Sequence, residues 1–463
     1  MKAVQSHRAG WLRVLLALLA VAAMSASCAP SGTTPVPKTN APAFASSGAP
    51  IETTPASSST VGASPSPVPI SATPSPPVPV ISPPPQPAAG RTDHTATLLP
   101  DGRVLIAGGQ GGASILASAT IYDPVSGKLA PTGSMSTPRR NATATLLPGG
   151  KVLVAGGYDG KGFLRSAELY DPKTGRFGKT GPMTVTRAYQ TATLLPSGLV
   201  LLVGGDNFSY DRLSTAELYD PSTGRFTRTG TMKVTQEVDT ATLLANGSVL
   251  VTGSWFDQSG KPVTRPSAEL YDPKSGKFSV AGPTSVVRTE GTATLLLNGK
   301  VLVAGGDDPS GLPIASAELY DPSTNSFGLL QMTVARAMFT ATRLPDGRVL
   351  LAGGDSGSIQ DGVSITPSAE IYDPVTGLFS PTGPMTIGRR NQTATLLSSG
   401  RILMLGGEDD IRGIGLLFPP PISTSDLSSL ATNEVYDPTT GTFTATASLS
   451  ELPDRGAGRR SAG

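Results

Sequence analysis

At 463 residues the chain is long enough for two or three ordinary domains or for one large repeat domain. Glycine (54) and proline (43) are abundant and aromatic residues make up only 5%, a balance suited to many short strands joined by turns. The formal charge is +2, and setting aside Lys2, Arg8 and Arg13 at the N-terminus leaves 33 bases against 34 acids. That excludes the strongly basic surface that nucleic acid or anionic lipid calls for, so neither is expected as a partner.

Residues 1–27 read as an export signal: three basic residues precede an apolar core, VLLALLAVAAM, too short to span a bilayer. Small residues and then Cys28 follow. This resembles a bacterial lipoprotein signal, which implies acylation of Cys28 and an extracytoplasmic protein held to a membrane only through that lipid. Ser25 stands where that motif usually carries Leu or another aliphatic residue, so simple secretion is the alternative. Cys28 is the one cysteine of the chain, which leaves no intrachain disulfide to form. Residues 28–90 read as a tether. From Ala29 to Gly90 there are 17 prolines in 62 residues, and Lys38 and Glu52 are the only charges. Such a segment buries too little apolar surface to offset its chain entropy. Extended at about 3.1 Å per residue, it makes a spacer of up to roughly 190 Å.

From Arg91 to Leu449 one sentence is repeated seven times, its copies beginning at Thr95, Thr143, Thr191, Thr240, Thr292, Thr340 and Thr393. Each opens with an alternating strand (TATLL or a variant), turns through a glycine, and continues as an apolar run such as KVLVAGG. Alternation marks a strand with two different faces, and the continuous run marks one covered on both. A third strand ends in Tyr-Asp-Pro, at Tyr122, Tyr170, Tyr219, Tyr271, Tyr320, Tyr372 and Tyr436, because proline cannot continue a ladder. A turn and a Phe (Leu129 in the first copy) open a fourth strand. Four antiparallel strands, seven times over, predict an all-β, seven-bladed β-propeller. The remaining residues, 450–463, are expected to be a disordered tail.

The hydrophobic run with Gly-Gly, then Tyr-Asp-Pro, an aromatic and Met-x-x-x-Arg resembles the kelch repeat, in the bacterial form related to the galactose oxidase central domain. Two departures stand out: Phe replaces the Trp of many kelch repeats, and the fourth copy has Gly253-Ser254 for the glycine pair. The first copy starts at an innermost strand and the last ends at an outermost one, which leaves open whether the termini exchange a strand to close the ring. Kelch propellers serve many functions, so the resemblance speaks to fold rather than to activity.

In an up-and-down blade the 2–3 and 4–1 connections share one face. The 1–2 turns never change length, whereas the spacing from glycine pair to tyrosine runs 13, 13, 14, 17, 14, 18 and 29. Function is therefore expected on the variable 2–3/4–1 face. Nine aromatics outside the repeat signature fall there: Tyr158, Phe163, Tyr189, Phe208, Tyr210, Trp255, Phe256, Phe339 and Phe418. Exposed rings suit stacking on sugars or docking peptide side chains, and rings turned inward merely pack their loops. Trp255-Phe256, beside the broken glycine pair, is the foremost candidate. Four residues before each first strand stand Arg91, Arg139, Arg187, Arg288, Arg336 and Arg389, with Gln236 in the fourth copy. Arg187, Arg288 and Arg336 are candidates for gripping a carboxylate in the mouth, but recurrence with the repeat fits a structural brace better.

Catalytic signals are sparse. The copper centre of galactose oxidase needs two histidines, two tyrosines and a cysteine, whereas His94 is the only histidine past the leader and the repeats hold no cysteine. No catalytic residue, metal or cofactor is expected. The string Gly354-Asp355-Ser356-Gly357 reads as a loop, and Asp307-Asp308 and Glu408-Asp409-Asp410 as solvated loop charge rather than calcium ligands. Two functions stand: a non-catalytic recognition module for a glycan, peptide or protein, and, by resemblance, a kelch-type sugar-modifying enzyme such as a sialic-acid mutarotase.

Overall fold

The computed structural model describes residues 90–207, 212–233, 240–253, 267–358, 362–409 and 429–449. The expected signal, tether and tail lie outside these, as do Cys28, Phe208, Tyr210, Trp255, Phe256 and Phe418. Among the described residues seven four-stranded antiparallel sheets follow one another, each built from strands of one repeat in chain order. Blade 2 is representative, with strands Thr143–Leu146, Val152–Ala155, Ala167–Asp171 and Arg176–Lys179. Thr143 pairs with Ala155, Val152 with Tyr170, and Phe177 with Tyr170.

The sequence pattern explains each strand. Val152 to Ala155 are buried on both faces, because neighbouring blades cover both. Ala144 and Leu146 of the first strand pack into the preceding blade's core with Leu105, Ile121 and Met135. The 1–2 turn closes with Leu147 N donating to Lys151 O at 2.8 Å, and Gly150 supplies the positive φ (81°) that the turn needs. In the third strand Tyr170 stacks on Phe177 with centroids 4.9 Å apart, and its hydroxyl lies 2.8 Å from Thr132 Oγ1 of blade 1. The methionines before each connection (Met135, Met183, Met232, Met332, Met385) are buried seam residues.

The repeat arginines are braces. Arg139, Arg187, Arg336 and Arg389 are at most 1% exposed and Arg288 5%. Each sits on the chain arriving from the previous blade and reaches across the base of its own blade's 2–3 connection. Arg187 Nη1 donates to Gly204 O (2.8 Å) and Thr215 O (3.0 Å), and its Nη2 pairs with Glu217 Oε1 at 2.9 Å. Arg288 pairs with Glu318 at 3.1 Å and Arg336 with Glu370 at 2.9 Å in the same way. Arg187, Arg288 and Arg336 are therefore withdrawn as ligand-gripping residues: their guanidinium groups are committed to carbonyls and a carboxylate inside the wall.

The glycine pair joins one blade to the next. Gly157 N donates to Arg187 O at 2.9 Å, and a Cβ on Gly156 would stand 2.5 Å from that same oxygen. The ring closes with another copy of this bond, Gly407 N to Arg91 O at 2.8 Å. Tyr122 OH lies 3.1 Å from Thr446 Oγ1, and Val104, Ile106 and Tyr122 share a core with Leu397, Leu403 and Leu405. Among the described residues no strand is exchanged: the first and last blades each keep their own four.

The Gly354-Asp355-Ser356-Gly357 string, expected as a loop, opens a two-stranded hairpin, Asp355–Ser358 against Gly362–Ile365, within the 2–3 connection of blade 6. That connection is long enough to pair with itself. A shorter hairpin, Gln110–Gly111 with Ser114–Ile115, does the same in blade 1.

Candidate functional site at the hub of the loop face

Three residues of each incoming connection follow the arginine, and they have three different fates. The first forms a bridge with the residue just past a glycine pair: Thr92 with Gln110, Arg140 with Tyr158, Ala188 with Asp206, Thr289 with Asp307, Ala337 with Asp355, and Arg390 with Glu408. The second is held in the left-handed region although it is not glycine: Asp93, Asn141, Tyr189, Glu290, Met338 and Asn391 have φ between 52° and 58°. The third turns sideways into the seam, as His94, Gln190, Phe339 and Gln392 do.

The left-handed residues are linked around the axis in two hydrogen-bonded arcs. Asn141 N donates to Asp93 O (3.1 Å), Tyr189 N to Asn141 O (3.1 Å), Met338 N to Glu290 O (3.0 Å) and Asn391 N to Met338 O (3.2 Å). A non-glycine residue in this region costs about 1–3 kcal/mol and persists only where its surroundings over-determine it. Between them lies a cavity of about 310 Å³, lined by Asn141, Tyr189, Gln190, Glu290, Asn391 and Gln392 among others.

Among the described residues Arg140 and Arg390 stand at the rim in addition to the buried braces. Arg140 donates through Nη1 to Gln110 Oε1, lies 3.8 Å from Asp93 Oδ2, and stands 5.5 Å over the Tyr158 ring. Arg390 donates to Glu408 Oε1 and to Asp355 Oδ2, both at 2.8 Å, and Asn391 Nδ2 reaches the same Glu408 oxygen at 3.1 Å. Asp307 and Glu408, expected as solvated loop charge, are rim residues instead. Glu408 is 4% exposed, because the bridge to Arg390 folds it back against the hub. Asp308 does serve its loop, its Oδ1 accepting from Ser310 N at 2.7 Å.

This environment shifts the rim carboxyls. Burial pushes Asp93 up to about 6 against the pull of Arg140, with Glu408 adding to the rise. Burial and the Asp355 and Asp308 charges push Asp307 up to about 7. The Tyr189 phenol is raised to about 12 by surrounding protein and by Asp93, Asp206 and Glu290, so it stays protonated. Its residue is still 51% exposed, as a side chain standing in an open funnel is: crowded by walls, yet reached by solvent.

The described aromatic candidates separate accordingly. Tyr189 stands in the hub. Tyr158 is half-buried between Arg140 and Phe163, the two rings 5.6 Å apart. Phe163 and Phe339 are buried, and Phe339 packs in the seam between blades 5 and 6 with Leu302, Ala304 and Leu351. Phe339 both packs in this core and lines the cavity, but at 6% exposure it offers little surface for stacking: it occupies the third position after its arginine, whereas Tyr189 occupies the second. Arg140 and Arg390 escape a reading that attends only to the arginine that recurs. The available signal is the doubled arginine, Arg139-Arg140 and Arg389-Arg390, which breaks the repeat.

The Kelch motif model matches residues 139–184, 188–233 and 288–327, runs that begin at or one residue past the repeat arginine in blades 2, 3 and 5. The chain folds as a seven-bladed β-propeller with Kelch motifs in blades 2, 3 and 5. Its fold is similar to that of a copper-bound fungal alcohol oxidase of the AA5 family, at 19% identity over 77% of each chain with a TM-score of 0.58. A second similar structure, that of YjhT, gives 14% identity over 78% of this chain and 99% of the other, with a TM-score of 0.49. No curated protein matches the chain. The kelch residues here do not fit a copper centre. His94 is buried in the seam with Nε2 3.0 Å from Thr393 Oγ1 and a pKa lowered to about 3 by burial and by Arg91, and Cys28 is the only cysteine.

Proposed function

We propose that the protein is a surface-anchored recognition module, held by a lipid on Cys28, that binds glycans in the axial cavity of its loop face. The observation that supports this reading is the hub itself. Residues from five blades converge on one concave site whose lining mixes amide, hydroxyl and carboxyl groups with apolar surface, and whose single exposed ring is Tyr189. Several polar groups of fixed position beside apolar Ala142, Met338 and Phe339, with a flat exposed ring, match a sugar's hydroxyls and its apolar ring faces. In the repeat, Trp255 holds the place taken by Tyr158 in blade 2 and Asp206 in blade 3, which makes it a further candidate at the rim.

The test is binding of the full-length protein to arrayed glycans and peptides, with Tyr189→Asn as the probe. Asparagine tolerates the left-handed backbone, so this change removes the ring and keeps the turn. Glycan binding that weakens at least tenfold, about 1.4 kcal/mol, supports the reading. Binding to peptides alone, or glycan binding indifferent to Tyr189→Asn, refutes it. Release of the protein from membranes by Cys28→Ser tests the anchor.

One observation favours a second reading, a sugar-modifying enzyme: Asp93 and Asp307 lie on the rim with carboxyl groups raised to about 6 and about 7, the range in which a side chain exchanges protons well near neutrality. Accelerated anomer exchange of a free sugar, followed by NMR and lost in Asp307→Asn, would establish it.

A further inference from the structure

A second cavity lies on the opposite face, where the 1–2 turns gather, away from the variable connections and from the hub. It encloses about 330 Å³ and is lined by Leu295, Leu297, Arg343, Leu344, Pro345 and Leu396. Leu295, Arg343 and Leu396 end the first strands of blades 5, 6 and 7. First strands neighbour one another all round the ring, so their ends frame the axis. Two of the lining residues break the repeat. Arg343 stands where the other six copies have Leu, and Leu297 stands where they have Pro, Ala or Ser.

In the other blades this Leu packs against a core cluster, as Leu295 and Leu396 do. Arg343 is half-buried and instead spans the seam, its Nη1 donating to Leu295 O at 2.9 Å. That bond pins the guanidinium and uses one of its five N–H donors. Among the described residues Nε and Nη2 have no partner, and neither is sealed from solvent. The other charges on the three turns that frame the cavity are taken. Lys300 pairs with Asp321 at 3.0 Å, Asp346 with Arg348 at 2.7 Å and Arg401 with Asp437 at 2.9 Å. Leu297, 66% exposed, reaches over the next turn, where a Cβ on Gly347 would stand 2.8 Å from its Cδ1. The cavity thus offers one unpaired guanidinium edge among apolar walls.

From this pairing we infer that the turn-face cavity binds a short-chain acyl carboxylate, its carboxylate on the free edge of Arg343 and its chain against Leu295, Leu297 and Leu396. The planar guanidinium matches a carboxylate, and a charge-assisted bond is stronger than a neutral one. Covering the leucines with a hydrocarbon chain removes apolar surface from water. No lining side chain other than Arg343 carries a hydrogen-bonding group, so the amides of a peptide would find no side-chain partner here. An acyl chain brings no such groups, which is why it is assigned rather than a polypeptide end. The chain is short because the volume stands at the low end of the ~300–1,000 Å³ range of ligand sites.

The experiment titrates full-length protein by calorimetry with octanoate, octanol and acetate, and with a tripeptide ending in leucine. Octanoate should bind roughly tenfold or more tighter than octanol or acetate, a difference of about 1.4 kcal/mol. Arg343→Met keeps the reach of the side chain and removes its charge, so octanoate should fall to the octanol level while octanol is unchanged. Arg343→Leu installs the residue of the other six copies; it should melt with the parent and lose the same preference. Leu297→Ser, the residue of the blade 7 turn, should weaken octanoate and octanol alike. Octanoate binding no tighter than octanol or acetate, or a preference that survives Arg343→Met, overturns the inference. So does tighter binding of the tripeptide than of octanoate, which would make the cavity a dock for a polypeptide end. The hub is tested separately by Tyr189→Asn, so either reading can fail without the other.

Discussion

Replacing Arg187 with methionine removes five hydrogen bonds at once: two to Glu217 Oε1, one each to Gly204 O and Thr215 O, and one to Thr215 Oγ1. Arg187 and Glu217 are both 0% exposed. Breaking a buried pair from one side typically costs about 3–5 kcal/mol, because the remaining charge is left uncompensated. The Gly204 carbonyl also loses its partner, at about 1–3 kcal/mol, while Thr215 O keeps the bond from Gly204 N at 3.3 Å. The terms overlap, and a loss of about 4–7 kcal/mol is expected for Arg187→Met. At about 2.1 cal/mol/K per residue over about 360 folded residues, that is a fall in Tm of roughly 5–9 °C. The informative variant is the double, Arg187→Met with Glu217→Leu. A simple buried ion pair is often replaced by apolar residues at no net cost. Here the Gly204 carbonyl stays unsatisfied and Thr215 O keeps only Gly204 N, so the double should still be destabilised by at least about 1 kcal/mol. Denaturant titrations of parent, both singles and the double measure it. A double variant as stable as the parent would show that the arginine is merely half of a charge pair, and the account of it as the clasp of the 2–3 connection would fail.

Other expectations follow from the same structure. Gly156→Ala places a Cβ 2.5 Å from Arg187 O at a φ of 68° and should cost several kcal/mol, roughly 3 or more. Gly149→Ala, with nothing within 4 Å of its Cβ, should stay within about 0.5 kcal/mol of the parent; equal effects in the two would refute the blade-junction role of the pair. Asp307 is raised from 3.8 to about 7 by burial and by Asp355 and Asp308, so the folded state binds its proton more tightly than the unfolded chain does. Stability from this group is fully present below about pH 4 and is lost as pH rises through about 7. Asp307→Asn should therefore stabilise the protein at pH 8, by up to roughly 4 kcal/mol, and change little at pH 4. A gain at pH 4 equal to that at pH 8 would contradict the shift. In the seam between blades 1 and 2 the Tyr170 hydroxyl lies 2.8 Å from Thr132 Oγ1. Removing it in Tyr170→Phe should cost about 0.5–1.5 kcal/mol by thermal melting, and an unchanged Tm would show that this bond does not help hold the blades together.

How much was legible in the sequence depends on whether a residue repeats. The seven blades, their strand order, the covered second strand and the face that carries the variable connections all follow from periodicity, because a strand's alternation and a turn's glycine are local properties. The brace role of the arginines was also readable from their recurrence. What the residues past each arginine do was not. Tyr189 and Phe339 both read as aromatics at the entry to a first strand, yet one stands exposed in the hub and the other is buried in a seam at its wall. The difference is one position along a chain that passes through a left-handed residue, and only Asn141, Asn391 and Asp93 in those arcs are of types that favour such a backbone. At Tyr189, Glu290 and Met338 the conformation is imposed by the hydrogen bonds of neighbouring blades.

The sequence by itself thus determined the propeller: seven copies of a unit that cannot bury its own faces must stack until the ring closes. Only the tertiary structure decided how it closes and what the hub is. Closure is by one more copy of the bond from glycine pair to arginine carbonyl, Gly407 to Arg91, a contact between residues more than three hundred positions apart. The hub sets the doubled arginines against Asp355, Glu408 and Gln110, and brings Gln190, Glu290 and Gln392 around a single cavity. Those residues are distant along the chain and differ from blade to blade, so no local pattern joins them. They meet because the circular arrangement brings the same short connection from each blade to one axis.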